Sequence, residues 1–305
     1  MRPITILLLI FGFYLLHGVA SAAPSKDNAM SRGEVNVPPD FFVRGELQQG
    51  GFMIGRLPDI SGDYPNKTIR SVIFHNYRLP LLSKGDDGAK FFIAFERMAP
   101  LEQTIVFVLN DGERLVRNFQ LRKSQYDIQR IDGVKNKYVN PDPKQVAMIK
   151  QQNRQVVALR GTSDNDNFSP LEEFIWPAEG QISGVFGSQR IFNGEPRRPH
   201  YGVDLALDIG TPVMAPQRGR VILAKNFFLS GKTMVIDHGI GVQSVFLHLD
   251  DFKAKEGEAV KQGQVVATSG NTGRSTGPHL HWQVNWYYKK FNAQLLPKNK
   301  KAARN

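Results

Sequence analysis

Five of the chain's seven histidines fall between His200 and His281, in a stretch of short, glycine-rich segments with no long helical period. They sit in His200-Tyr201-Gly202-Val203-Asp204, Asp237-His238-Gly239, Phe246-Leu247-His248-Leu249 and Pro278-His279-Leu280-His281-Trp282. Alternate residues of a strand share a face. His200 and Asp204 therefore project together, as do His279 and His281, with Cα atoms about 7 Å apart. Val242, Ser244, Phe246 and His248 are expected on one face of another strand. Three strands of a compact antiparallel β-domain would then aim imidazoles and one carboxylate at a common point. Two neutral imidazoles and a carboxylate suit one Zn²⁺ with a fourth position left to water. Two further histidines could serve as proton acceptor or as donors to developing charge. His238, in an Asp-His-Gly setting, reads as a structural turn histidine.

Composition removes the main rivals. There is no cysteine, which excludes thiolate zinc sites, disulfide scaffolds and a cysteine nucleophile. Hydrophobic residues make up 41% and aromatic residues 10%, enough for a sizeable core. Mean hydropathy is −0.32, against a polytopic membrane protein. The net charge of +11 calls for an anionic partner.

The first residues narrow that choice. Arg2 precedes the apolar run Ile4 to Leu16, and Ala20-Ser21-Ala22 follows. This is the layout of a signal peptide, residues 1–22, cleaved after Ala22. The run is short against the roughly 20 residues that span a bilayer, so an uncleaved anchor is the weaker alternative. Export to the periplasm makes an extracytoplasmic polymer the expected partner and argues against nucleic acid.

Further organisation follows from local signals. Residues 23–36 read as a flexible leader. Residues 37–139 read as a small all-β N-terminal domain, with Asp111-Gly112 predicting a type I′ hairpin. His75, without a partner at ligand spacing, reads as structural. Residues 140–171 form a linker helix and loop. Asp142 is its N-cap, Pro143 its first turn, and Val146, Ile149, Val156 and Val157 its packing face. The second β-domain spans 172–288, and 289–305 is a basic tail.

The stretch from Trp176 to Trp286 resembles the LytM/lysostaphin-type zinc metallopeptidases. The resemblance is carried by His200-Tyr201-Gly202-Val203-Asp204, Gly210-Thr211-Pro212-Val213, Ile236-Asp237-His238-Gly239, Phe246-Leu247-His248-Leu249 and the run Gly270 to His281. It implies that His200, Asp204 and His281 hold zinc, that His248 and His279 are catalytic, and that the domain has the duplicated-hybrid-motif β fold. It also implies a peptidoglycan endopeptidase. Gram-negative relatives cut the D-Ala–meso-diaminopimelate crosslink, and lysostaphin-type members cut glycine bridges. The family includes degenerate members that activate amidases without catalysis; all five positions are filled here. The preceding β region looks like the N-terminal domain of exported Gram-negative members, which covers the groove or binds glycan or a regulatory partner. A monomer is expected, with a regulatory or adaptor protein left open.

Overall fold

The computed structural model describes residues 39–83, 88–163 and 169–298. The expected signal peptide, the whole of the expected leader and the end of the basic tail lie outside the described residues.

The first half builds two four-stranded antiparallel sheets. Strand Glu102–Leu109 shows why. Gln103, Ile105, Phe107 and Leu109 are buried, while the residues between them are exposed or half-buried. That period of two presents one apolar face to the core. Phe41 collects Phe91, Phe107 and Phe119 at ring-centroid distances of 5.5 to 6.4 Å. The hairpin at Asp111-Gly112 forms between Glu102–Leu109 and Arg114–Gln120, but its turn is longer than two residues. Gly112 has φ +90° and Asp111 does not enter the left-handed region, so the turn is not type I′.

The second half centres on an eight-stranded antiparallel sheet. Its middle strands, in spatial order, are Gly202–Ala206, His279–Trp286, Val242–Leu249 and Gly231–Gly239. Gly231–Gly239 has eight buried residues of nine, as a strand covered on both faces should. The architecture is therefore the mainly antiparallel β class that the sequence predicts.

The linker helix runs Pro143–Ala158, with a full capping box between Asp142 and Gln145. Its expected packing face holds only in part. Val156 and Leu159 pack on Leu223, Phe227, Val235 and Val245, whereas Val157 is exposed. Val157 lies about 100° further round the helix than Val156, and here that turn carries it to the solvent side.

Two features connect the halves. One apolar cluster runs without a break from Phe41 to Leu296. Within it Phe291 meets Phe52 and Phe92, and Trp286 meets Phe74 and Phe92. Strand Ile128–Ile131 also pairs in parallel with Gln189–Phe192, which borders the histidine cluster.

Candidate metal centre

Strand register assembles the cluster. Asp204 lies directly opposite His281, and Leu247 lies opposite His281 on its other side. Directly opposed residues share a face. Asp204, His279 and His281 therefore line one surface, and His200 enters it from just before the Gly202–Ala206 strand.

His200, Asp204 and His281 are all buried, and their ligand atoms lie within 4.8 Å of one another. His200 Nε2 is 3.0 Å from Asp204 Oδ1, His281 Nδ1 is 2.7 Å from the same oxygen, and the two nitrogens are 2.9 Å apart. Bonds of about 2.0 Å at tetrahedral angles give donor separations of roughly 3.3 Å, so the donors need part by only a few tenths of an ångström.

The proton count also favours a cation. His200 Nδ1 lies 2.9 Å from the carbonyl of Val185, which requires Nδ1–H in the neutral ring. Its Nε2 then turns a lone pair toward the Asp204 carboxylate. No placement of protons on neutral imidazoles gives every short contact a donor, whereas one divalent ion resolves them all. The His₂Asp set therefore fits zinc.

Two glycines make the room. A Cβ on Gly202 would lie 2.6 Å from His281 Nε2, and one on Gly184 would lie 2.5 Å from Asp204 Oδ2. Burial pushes the His281 pKa down to about 4, so the ring is neutral at pH 7. Burial also disfavours the Asp204 charge, but its contacts with His200 and His281 outweigh this and hold the carboxyl well below its usual range.

His248 and His279 stand beside the three donors, with ring centroids 4.8 Å apart. His248 does not share a face with Val242, Ser244 and Phe246, contrary to the alternation expected from sequence. Between Phe246 and Leu249 two residues oppose the single Thr233, a bulge, and His248 adopts φ +62°. Strain of this kind is tolerated where a side chain must be re-aimed. Each ring directs Nδ1 at a carbonyl: Thr272 O at 2.7 Å for His248 and Gly277 O at 2.8 Å for His279. Their Nε2 atoms are left for the pocket, with His279 Nε2 4.0 Å from Asp204 Oδ1. Burial, then the proximity of His279, pushes His248 down to about 3.

Arg190 is a site residue that sequence reasoning missed. Its Nη2 pairs with Asp204 Oδ2 at 2.5 Å, leaving Oδ1 for the two histidines. No local motif marks it, because its strand is placed by pairing with residues 128–131.

The other two described histidines lie elsewhere. His238 is fully buried, donating from Nδ1 to Arg218 O and accepting at Nε2 from Ser244 Oγ, both at 2.9 Å. Trp282 Nε1 donates to the same Ser244 oxygen. This network sits behind the His281 strand. His75 occupies a hairpin turn at φ +52°, and its ring meets Phe74 edge-on.

Sheet and cluster together place three donors that could hold one metal ion between two open pockets of about 590 and 320 Å³. Residues 198–293 match the model of Peptidase family M23. The chain is 42% identical over 105 residues to the peptidoglycan DD-endopeptidase ShyA of Vibrio cholerae, which is 34% of this chain and 24% of that protein. It is 40% identical over 86 residues to lysostaphin of Staphylococcus simulans, which is 28% of this chain and 17% of that protein. The chain thus spans about a quarter or less of these curated relatives. A crystal structure of a peptidase M23 protein from Pseudomonas aeruginosa covers 82% of this chain and 95% of its own, at 23% identity and a TM-score of 0.63. That likeness is one of fold, and it extends across both halves.

Proposed function

We propose that this chain is a zinc-dependent endopeptidase that acts outside the cytoplasm on the peptide crosslinks of peptidoglycan. The D-Ala–meso-diaminopimelate bond is its proposed target. The convergence of His200, Asp204 and His281, with two further imidazoles at their side, carries this reading. The names of the matched relatives, DD-endopeptidases and a lysostaphin, support the substrate class. The signal-like N-terminal sequence supports the location.

His200, Asp204 and His281 are the proposed metal ligands. A zinc ion held there would supply Lewis-acid polarisation of a carbonyl and acidify water. Arg190 holds Asp204 in its ligating orientation. His248 and His279 are the proposed catalytic histidines. With Nδ1–H tied to a carbonyl, each neutral ring offers a lone pair at Nε2 and can accept a proton or orient water. Burial opposes a charge on His248. His279 is less buried and faces an Asp204 oxygen, so it is the better carrier of the transferred proton. A non-catalytic amidase activator would not need all five groups in place.

The N-terminal half is the proposed cover of the groove. Ile131 and Val134 line the smaller pocket together with Asp204 and His279.

Digestion of purified sacculi with the full chain, with and without chelator, tests the function. Muropeptide mass analysis should show crosslinked dimers lost and monomers gained only when metal is present. Unchanged dimers with the zinc-loaded protein would overturn it.

A further inference from the structure

The larger pocket beside the metal ligands is walled by Arg197 and Arg274 as well as by His200, His248 and His281. Neither of these guanidiniums has a carboxylate partner among the described residues. Arg197 donates to the carbonyl of Val139 at 3.0 Å, and its Nε is buried with no partner. Arg274 lies over the Phe192 ring at 5.0 Å and reaches the Tyr138 carbonyl at 3.5 Å, the outer limit of a hydrogen bond. The nearby Arg190 is already committed to Asp204. Burial, then repulsion from Arg190 and Arg197, pushes Arg274 down to about 10, so it stays charged at neutral pH among other cations.

Crowding unpaired cations in a half-buried pocket is unfavourable unless an anion arrives to offset it. A planar guanidinium fork matches a carboxylate in two parallel hydrogen bonds. The pocket opens onto the metal ligands, so the anion must belong to the molecule whose amide lies there. A crosslinked stem peptide has such a group, because its diamino acid keeps a free carboxylate.

We propose that Arg197 and Arg274 form a carboxylate subsite that holds a free carboxylate of the crosslinked peptide beside the scissile amide. This rests on the endopeptidase reading above. In the described structure the carbonyls of Tyr138 and Val139, at the end of the short helix Asn136–Val139, take up part of the same donors. The carboxylate would compete with them.

The experiment uses the zinc-loaded full chain carrying His248→Ala, so that bound peptide is not turned over. Two synthetic crosslinked stem peptides, identical except that the diamino acid carries a free carboxylate or a carboxamide, are titrated by calorimetry. The carboxylate form should bind about tenfold or more tightly. Adding Arg274→Gln or Arg197→Gln should bring that ratio toward one, with the carboxamide affinity and Tm little changed. Arg274→Lys, which keeps the charge but loses the fork, should give an intermediate ratio. Equal binding of the two peptides, no measurable binding of either, or variants that weaken both peptides equally while lowering Tm would overturn the subsite. The last result would mean that the arginines only tie down the helix end. Cleavage of the same peptides by the chain with His248 intact judges the endopeptidase reading separately. A binding contrast without cleavage would overturn that reading and leave the subsite standing.

Discussion

His200 Nε2 and His281 Nδ1 face each other at 2.9 Å from positions 81 residues apart, each within 3.0 Å of one Asp204 oxygen. In the proposed reading a divalent ion lies between these three groups. Chelator-stripped protein should therefore unfold at a lower temperature than zinc-loaded protein. Metal at about 100 times its Kd contributes roughly 2.7 kcal/mol by mass action. Differential scanning calorimetry with and without restored Zn²⁺ measures this, and an unchanged midpoint would argue against a site at these residues.

Replacing a ligand and replacing a catalytic neighbour should have different signatures. His281→Ala is expected to lose zinc and activity together. His248→Ala is expected to retain zinc while turnover falls by roughly 10²- to 10⁴-fold, the usual share of a general acid–base group. Metal content by atomic emission, measured beside crosslink cleavage, separates the two. Loss of zinc from His248→Ala would make His248 a ligand.

Arg190 touches no metal in this reading, yet its removal should be felt at the ion. Arg190→Met leaves Asp204 Oδ2 buried without its donor. Zinc affinity should fall by roughly 10- to 100-fold, as for other groups that orient a ligand. Competition against a chromophoric chelator gives the number, and cleavage at saturating zinc should suffer less than affinity does.

His238 ties stability to pH. Burial lowers its pKa in the folded chain to about 4, against 6.5 for the unfolded residue. Below pH 6.5 the unfolded state takes up the proton and the folded state does not. The contribution is fully present above pH 6.5 and is lost as pH falls toward 4, about 3 kcal/mol in total. His281 and His248 shift in the same direction, so comparison with His238→Gln isolates one share. Urea unfolding at pH 7.5 and 4.5 should show a smaller acid loss for the variant. Parallel losses would remove His238 as the cause.

Much of the candidate site was legible because its spacings are local. His-x-x-x-Asp entering a strand and His-x-His along one both place donors on a single face. The helix start at Asp142 was legible for the same reason, since a cap involves residues three apart. His248 does stand beside the three donors, but its route there was not the expected one. Simple alternation would have set it opposite Leu247's face, and the bulge reverses this. The turn at Gly112 was similarly right in place and wrong in type. Arg190 was out of reach, because the parallel pairing that positions its strand has no short-range signature.

That pairing bears on how such a domain changes hands between genes. The stretch matched by the family model begins at residue 198, beyond Arg190 and well beyond residues 128–131. Recombination at that border would transmit His200, Asp204 and His281 but not the guanidinium bound to Asp204, nor the strand on which it hangs. A recipient would acquire the three donors and would need to supply its own brace for the carboxylate.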